Sequence, residues 1–394
     1  MKITVPTIDF GTSKIVTMVA QSNGERCDIV GSGAVPYSGY LQDGWNNPDE
    51  IRDVIRTAID QAQKTGNCRI HELNVGVPGM FTRVIVKEVH VSLTGPDPHV
   101  TAQDVRACFK LAEESGGDRI IHSAPAWFRV DDGKKTLSPV GIKGRELSAM
   151  IALVTADKYF IDDITYRLRD MDIEPREFYS TVAGEATYAL SQDERDKTAM
   201  LIDIGYLCTD VMVMEGDALI FHKCLDIGGG HISADIAEQL NIPFPFVEEK
   251  IKQTYSFNST NQDETYVIPA TEEEPARTVR RDEVTPIIEA KVEEIAEAIN
   301  KALEEGGVKL GKWSNVYLTG GGLILNKGGK DFLAGKLHRI IREAQRTNNK
   351  MTSHVFSSAV GLTILVVTTQ EEQKAPEGGA KGLFSRAFRW LMGY

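Results

Sequence analysis

The sequence predicts an α/β protein made of two similarly organised halves, and three observations indicate this class. The chain has 394 residues, which is more than one ordinary hydrophobic core accommodates. Strand-like runs alternate with amphipathic helical patterns, as expected for sheets covered by helices. The stretch TIDFGTSKIVTMV at 7–19 has a partial echo in LIDIGYLCTDVMVM at 201–214. Each half is therefore expected to begin with an acid and a glycine at the end of a strand.

Composition and charge exclude several classes of protein. The formal net charge of −12 argues against non-specific binding of nucleic acid, which requires a basic surface. The five cysteines lie far apart without a C-x-x-C pair, which is typical of reduced thiols and not of a disulfide framework. The apolar run at 357–369 is too short to span a bilayer. We therefore expect a cytosolic protein that does not bind nucleic acid.

The hydrophobic pattern of the first half predicts two strands, a helix and a further strand. Strand patterns cover 14–21 and 27–36, and the stretch 48–66 carries its apolar residues on one helical stripe that ends at Gly66. Between 82 and 160 the pattern changes to a strand, a helix capped by Thr101 and another strand. This change indicates a small inserted subdomain.

The second half predicts glycine-rich turns and one long helix. The turns lie within 225–242 and 315–326, and the helix covers 285–307 with Thr285 as its N-cap. Its glutamates form a stripe above apolar residues, and we interpret that stripe as a solvated face. An apolar helix near 354–369 precedes a stretch of linker composition at 369–382.

The first acid-glycine turn has the chemistry of a phosphate loop. Gly11 lets the backbone approach a ligand, Thr12 and Ser13 add hydroxyl and N–H donors, and Lys14 supplies a cation. Asp9 stands at the end of a strand and could hold a hydrated Mg²⁺ through water. The alternative for this segment alone is an ordinary hairpin turn.

The second turn repeats the acid and the first glycine but not the small residues that follow. Asp203, Gly205 and Thr209 match the first loop in kind, whereas the intervening Tyr206-Leu207-Cys208 restricts positive φ and crowds a phosphate. Taken alone, this segment favours a hairpin. The turn 318–322 is equally ambiguous between close approach to a ligand and simple chain reversal. No catalytic residue is assigned, because no hydrolase, Walker-type or paired-histidine motif is present in the sequence.

The last residues of the sequence form a basic, aromatic helical pattern. Apolar residues recur on one helical face within 381–394, no acid interrupts them, and a flexible stretch precedes them. We predict an interfacial membrane anchor, with docking on the core or on a partner's groove as the alternative. One such helix binds weakly, so several copies are needed for stable attachment. The predicted membrane-contacting residues are Leu383, Phe384, Arg386, Phe388, Arg389, Trp390 and Leu391.

Taken in order, these motifs resemble those of the FtsA family of bacterial actin-related cell division proteins. DFGTSK and DIGYLCTD resemble the two phosphate loops of the wider actin, sugar-kinase and chaperone superfamily, and LTGGG resembles its adenosine loop. The block RIIHSAPAWFRVDDGKKTLSPVGIKGREL resembles the distinctive inserted subdomain of FtsA. LDIGGGHISADIA, EKIKQTY and AVGL resemble further family segments.

The resemblance implies an actin-like, ribonuclease H-like duplicated ATPase fold, with two lobes around a nucleotide cleft, the inserted subdomain and a C-terminal amphipathic helix. The implied segments are a first-lobe core at 1–81, the insertion at 82–160, a return to the first lobe at 161–200, a second lobe at 201–353, a linking helix of the first lobe at 354–369, a linker at 370–380 and the membrane helix at 381–394.

The resemblance also implies ATP and Mg²⁺ as ligands. The implied nucleotide-binding residues are Asp9, Gly11, Thr12, Ser13, Lys14, Asp203, Gly205, Thr209, Glu249, Lys252, Gly320, Gly321 and Gly322, with Asp9 as the Mg²⁺ residue through water. Implied partners are the C-terminal peptide of the tubulin-like FtsZ, other copies of the chain, membrane lipid and, through 82–160, further division proteins. Lys291 on the long helix is the candidate basic residue for the FtsZ peptide. The implied location is the cytoplasmic face of the membrane at the division site.

The main departure from the family is Tyr206-Leu207-Cys208, where Gly-Gly-Thr is usual. Phosphoryl transfer depends on positioning, so the departure predicts nucleotide binding with weak or absent hydrolysis. Two alternatives stay open: an actin-fold adaptor of a pilus system, like PilM, and an active ATPase or kinase of the same fold.

Overall fold

The computed structural model describes residues 3–24, 26–41, 44–114, 116–117, 119–261, 263–270, 275–311, 314–344 and 353–373. The chain divides into two compact units. The first unit contains Met1–Leu201, Met212–His222 and Gln345–Tyr394, and the second contains Ile202–Val211 and Lys223–Ala344. The predicted membrane helix at 381–394 and most of the predicted linker lie outside the described residues. No helix within the described residues is long and apolar enough to cross a membrane.

The first unit is built on a five-stranded sheet in the order β10-β6-β1-β2-β3. The strand β1 pairs antiparallel with β2 and parallel with β6, which pairs parallel with β10. These strands are β1 (Ile3–Phe10), β2 (Lys14–Ser22), β3 (Cys27–Pro36), β6 (Glu72–Val77) and β10 (Glu174–Ser180). The short pair β4 (Tyr40–Leu41) and β5 (Gly44–Trp45) forms a separate two-stranded ribbon.

The helix α1 (Ile51–Gly66) covers one face of this sheet. Its predicted apolar stripe is buried, and it ends at Gly66 as predicted, where Asn67 adopts φ 45° and donates its N–H to the Gln63 carbonyl. The strand β3 lies very close to α1, because a Cβ at Gly33 would stand 2.1 Å from the Ala58 carbonyl oxygen. Glycine in β3 therefore sets the distance between helix and sheet.

Two further helices pack together on this unit, α4 (Thr181–Ala189) and α10 (Ser357–Gln373). The two helices pack closely at Gly361, because a Cβ there would lie 2.5 Å from the Cα of Glu185 in α4. The short helix α5 (Gln192–Arg195) follows α4, and single 3₁₀ turns cover Gly79–Phe81 and His354–Phe356.

The inserted subdomain is a three-stranded antiparallel sheet, in the order β7-β9-β8, covered by one helix. Its elements are β7 (Thr82–Ser92), α2 (Ala102–Glu114), β8 (Ile120–Val130) and β9 (Glu146–Ala156), followed by α3 (Lys158–Arg169). The predicted cap of α2 is confirmed, because Asp104 accepts from the hydroxyl of Thr101 at 2.6 Å and from its N–H at 2.8 Å.

The turn at 215–218 docks against the inserted subdomain. Gly216 has φ +59°, and a Cβ there would lie 2.2 Å from the Ala126 carbonyl oxygen of β8. Asp217 donates its N–H to the Pro125 carbonyl at 3.1 Å. The buried Arg195 of α5 holds the same turn from another side, since its guanidinium donates to the Gly216 carbonyl at 3.0 Å and to the Asp217 carboxylate at 3.1 Å. Backbone contacts thus hold the inserted subdomain to this turn.

A second five-stranded sheet has the order β13-β12-β11-β16-β17. Its strands are β11 (Ala199–Ile204), β12 (Thr209–Glu215), β13 (Ala218–Leu225), β16 (Asn315–Thr319) and β17 (Ile341–Glu343). Outside this sheet, the second unit contains α6 (Gly229–Leu240), α7 (Phe244–Phe246) with the π-helical turn Val247–Lys252, the hairpin β14 (Thr265–Ile268) and β15 (Arg277–Arg280), α8 (Arg281–Glu305) and α9 (Gly329–Leu337).

The long helix α8 starts four residues before the predicted N-cap. Thr285 was expected to cap it, but the helix begins at Arg281, and the Glu283 carboxylate accepts from the Arg280 N–H at 2.9 Å. Pro286 therefore lies inside the helix, near its start. The two faces of α8 are as predicted. Its buried apolar residues include Ile288, Val292, Ile295, Ile299 and Leu303, beneath the exposed glutamates Glu293, Glu294, Glu297 and Glu304.

Candidate functional site

The first predicted loop is a tight turn between β1 and β2 in the first unit. The Gly11 N–H donates to the Lys14 carbonyl at 3.0 Å, and a Cβ on Gly11 would lie 2.9 Å from that oxygen. Thr12 is buried, Ser13 is half-buried, and the Lys14 ammonium lies 5.2 Å from the centroid of the Phe356 ring. The turn therefore keeps a compact backbone next to a lysine side chain.

Asp9 is a buried carboxyl at the end of β1. Ser358 of α10 donates its hydroxyl to Asp9 Oδ2 at 3.0 Å. Burial raises the pKa of Asp9 to about 6, against the opposing effects of the Ser358 hydrogen bond and the Lys14 charge. A nearby divalent cation would favour the ionised form, so a carboxyl in this position fits the water-mediated Mg²⁺ role predicted for it.

The second predicted loop closes a similar turn in the second unit. Asp203 is the second-to-last residue of β11, and the Gly205 N–H donates to the Cys208 carbonyl at 2.9 Å. The buried Thr209 hydroxyl donates to the Ile227 carbonyl at 2.7 Å. The Thr209 hydroxyl is thus used to hold the loop to the segment before α6.

Two glycine-containing turns of the second unit pack against this loop. The Gly229 N–H donates to the Gly205 carbonyl at 2.9 Å, and the Gly322 N–H donates to the Ile204 carbonyl at 2.8 Å. Gly320 has φ +87°, and a Cβ there would stand 2.0 Å from Asp203 Oδ1. The structure therefore brings together Asp203, Gly205 and the predicted adenosine loop, and only glycine fits at the contacts.

Tyr206 occupies the space over the start of α6. The Gly230 N–H donates to the Tyr206 carbonyl at 2.7 Å, and a Cβ on Gly230 would lie 3.0 Å from the Tyr206 ring. The Lys252 ammonium lies 5.8 Å from the ring centroid. Burial, and then the charge of Glu248, raise the pKa of the phenol. A large aromatic side chain therefore stands at a helix N-terminus, where backbone N–H groups suit an anion.

Lys252 is buried and pairs with a carboxylate that was not among the predicted site residues. Its ammonium pairs with Glu248 at 3.1 Å, and its pKa is lowered by burial in spite of that pair. Glu249, the glutamate expected beside the nucleotide, is exposed. The spacing from 248 to 252 puts both groups on one helical face, which the sequence could have indicated. Asn326 donates to the Lys252 carbonyl at 2.6 Å and ties this helix to the chain after β16.

Lys291, the candidate partner-binding residue, has two acidic neighbours in its own unit. Its ammonium lies 2.9 Å from Asp235 of α6 and 2.6 Å from Glu294, and its side chain is 14% exposed. The Lys291 charge is therefore already compensated, and it joins α8 to α6. The seven predicted membrane-contacting residues, at 383–391, lie outside the described residues.

Solved structures with the same fold identify the class. A PilM–PilN type IV pilus biogenesis complex superimposes with a TM-score of 0.62 at 17% identity, over 93% of this chain and 99% of that chain. MreB5 of Spiroplasma citri bound to ADP gives a TM-score of 0.55 at 11% identity, over 95% and 99% of the two chains. At such identities the likeness concerns the fold alone. The predicted class is confirmed: this is an actin-fold α/β protein.

Family models and relatives narrow the class. The model described as Cell division protein FtsA matches residues 200–361, and that of the SHS2 domain inserted in FtsA matches 79–155. Cell division protein FtsA of Pseudomonas aeruginosa is 27% identical over 253 residues, which are 63% of this chain. Its Buchnera aphidicola counterpart is 24% identical over 379 residues, covering 90% of this chain and 89% of that protein. The chain belongs to the FtsA family.

The extent of the match to relatives differs among them. The chain spans 60% of the length of the Pseudomonas protein and 59% of the Escherichia coli K12 protein, to which it is 24% identical over 249 residues.

Proposed function

We propose that this protein is an actin-like adaptor that tethers filaments of FtsZ to the cytoplasmic face of the membrane at the division site. Its own assembly into filaments would be governed by bound nucleotide. Membership of a cell division family supports the cellular role. The observation that carries the biochemical part is the set of interlocked glycine turns around Asp203 and Gly205.

We infer that ATP is bound with Mg²⁺, through Asp9–Lys14 in the first unit and Asp203–Thr209 with Gly320–Gly322 in the second. Glycine at 11 and 320 lets these turns close tightly, because a Cβ there would meet the Lys14 carbonyl or the Asp203 carboxylate. Backbone N–H groups of such tight turns suit phosphate. The related fold of MreB5 of Spiroplasma citri was solved with ADP and with AMPPNP, which supports the ligand class. Bound Mg²⁺ would supply charge against the phosphates, and Asp9 would orient its water shell.

Binding can be tested with a matched pair of glycine variants. Gly320→Val places a side chain against Asp203, whereas Gly335→Val adds one where no atom lies within 4 Å. A fluorescent ATP analogue should bind the wild type and Gly335→Val equally, and Gly320→Val at least about tenfold more weakly. Lys14→Ala, which leaves the second unit intact, should also weaken binding. Failure of the folded wild type to bind ATP or ADP at millimolar concentration would contradict this proposal.

Weak hydrolysis follows from the second loop. Tyr206 covers the start of α6 and the Thr209 hydroxyl is engaged with Ile227, so neither is placed to help orient an attacking water. Robust turnover of ATP by the wild type would instead support the alternative of an active ATPase or kinase.

Membrane attachment is proposed from the sequence pattern of 381–394. The full chain should co-sediment with vesicles that contain anionic lipid, and a chain ending at residue 380 should not. Two full-length double variants separate the contributions to vesicle binding. Phe388→Ser with Trp390→Ser tests the apolar face, and Arg386→Ser with Arg389→Ser tests the positive charge. Equal binding by the shortened chain would contradict the anchor.

The partner is proposed to be the C-terminal peptide of FtsZ, bound to the second unit near α8. Because Lys291 is engaged with Asp235 and Glu294, an acidic peptide would have to exchange these contacts. A PilM-like pilus adaptor is the alternative that the similar fold keeps open. Fluorescence anisotropy with labelled peptides separates the two: binding of an FtsZ peptide supports division, and binding only of a PilN segment supports the pilus role.

A further inference from the structure

Two thiols and a carboxylate converge next to the second phosphate loop. The Sγ atoms of Cys208 and Cys224 and a carboxylate oxygen of Asp210 all lie within 4.8 Å of one another. Cys208 and Asp210 are buried and Cys224 is half-buried. Among the described residues, these three side chains have donor atoms close enough together to bind one metal ion.

The sheet explains why these three residues meet although the sequence shows no cysteine motif. Cys208 directly precedes β12, Asp210 is the second residue of that strand, and Cys224 lies near the end of the neighbouring β13. Residues two apart along an extended chain point to the same face, which puts Cys208 and Asp210 together. The Cys208 carbonyl also closes the turn by accepting from Gly205. A group bound here is therefore attached directly to the loop.

The donor set selects among metal ions. Mg²⁺ and Ca²⁺ prefer oxygen ligands only, so two sulfurs disfavour them. Zn²⁺ takes thiolate and carboxylate together in tetrahedral sites, and thiolates around one Zn²⁺ stand about 3.8 Å apart, given Zn–S bonds of about 2.3 Å. Donor atoms within 4.8 Å therefore need to move by only about 1 Å. Three protein ligands leave the fourth position open to water.

We propose that Cys208, Asp210 and Cys224 form a Zn²⁺ site that fixes the second phosphate loop to β13. Binding converts both thiols to thiolates and releases two protons to the solvent, so the affinity for Zn²⁺ rises with pH. The metal would join Cys208 of the loop and Asp210 of β12 to Cys224 of β13. The loop Tyr206-Leu207-Cys208 therefore binds Zn²⁺ whether or not nucleotide is bound.

The test uses the full chain, reduced and freed of metal by a chelator, without nucleotide. After incubation with Zn²⁺ and gel filtration, elemental analysis should find one Zn²⁺ per wild-type chain. Cys208→Ser and Cys224→Ser should bind at least tenfold more weakly, and Asp210→Asn about tenfold more weakly. Co²⁺ in place of Zn²⁺ should give thiolate-to-metal charge-transfer absorption, which Cys208→Ser removes.

The matched control is Cys68→Ser, which removes a half-buried thiol remote in sequence from the site. It should retain one Zn²⁺ per chain, and circular dichroism shows whether each variant is folded. The proposal is overturned if the reduced wild type takes up no stoichiometric Zn²⁺, if Cys68→Ser loses as much as Cys208→Ser, or if Co²⁺ binds without thiolate absorption. Because no nucleotide is present, none of these results depends on ATP binding.

Discussion

Individual residues decide what the second loop can do. The sequence, through its family resemblance, predicts Asp203, Gly205 and the glycines at 320–322 as nucleotide-binding residues, and the structure places Gly320 against Asp203. It did not lead to the pairing of Lys252 with Glu248, although the i, i+4 spacing of these residues could have indicated it. It also could not show that the Tyr206 ring packs on Gly230, since that contact depends on tertiary packing.

Restoring the loop that is usual in the family should raise hydrolysis. In the variant Tyr206→Gly, Leu207→Gly and Cys208→Thr, the ring over the start of α6 is removed and small polar groups are restored. We expect ATP turnover to increase at least about tenfold, with nucleotide affinity changed less than threefold, since positioning affects rate before binding. Phosphate release and binding of a fluorescent analogue measure the two quantities. Unchanged turnover by a variant that binds nucleotide normally would show that another feature limits hydrolysis.

His122 should make stability depend on pH. It lines a cavity together with Arg195, Asp217 and Thr368, and burial lowers its pKa from 6.5 to about 4. Between these values the unfolded chain binds the proton and the folded chain does not, so stability falls as pH falls. The loss amounts to about 2–3 kcal/mol, at about 1.4 kcal/mol per pH unit and allowing for some solvation in the cavity.

Chemical denaturation at pH 7 and pH 4.5 measures this contribution. His122→Gln should lose less stability than the wild type between the two values, whereas His71→Gln, at an exposed position, should behave as the wild type does. Equal losses in the wild type and His122→Gln would contradict the assignment.

At the scale of elements, the sequence predicted which segments form helices and which faces are buried. The stripe of α1, the cap of α2 and the two faces of α8 are as predicted. The start of α8 was predicted wrongly. Thr285 and Pro286 form a good start signal, whereas the actual cap is the Glu283 carboxylate, which accepts from the Arg280 N–H and involves no short polar N-cap residue. Contacts of the 215–218 turn could not be predicted either, since they join parts of the chain about 90 residues apart.

The cap of α8 should be measurable. Glu283→Ala removes the carboxylate that accepts from the Arg280 N–H, and we expect it to lower the free energy of unfolding by about 1 kcal/mol. Glu297→Ala, on the exposed middle of the same helix, should change it by less than about 0.5 kcal/mol. Equal effects in urea titrations would indicate that the cap contributes nothing specific.

The docking of the inserted subdomain can be tested at one glycine. Gly216→Ala combines left-handed strain with a Cβ 2.2 Å from the Ala126 carbonyl, whereas Gly307→Ala, at a similar φ of +63°, meets no atom within 4 Å. Gly307→Ala should cost about 1 kcal/mol of strain, and Gly216→Ala about 2 kcal/mol more. Thermal unfolding compares the two, and similar values would mean that the turn moves away from β8 at little cost.

As a whole molecule, the protein is an actin-fold chain of the FtsA family with two proposed attachments. Family and fold follow from 79–155, 200–361 and the solved structures of similar fold. Attachment to lipid is proposed from 381–394, which lie outside the described residues, and attachment to FtsZ from the second unit. Many weak tails act together only if the chain assembles, so membrane binding should increase steeply with protein concentration.

The most direct test of the central claim is recruitment of a fluorescent FtsZ C-terminal peptide to anionic vesicles by the full-length chain with ATP and Mg²⁺. We predict that the peptide sediments with the vesicles only when the chain is present, and that a chain ending at residue 380 binds the peptide in solution without carrying it to lipid. Vesicle binding by the full chain that leaves the peptide in the supernatant would contradict the account.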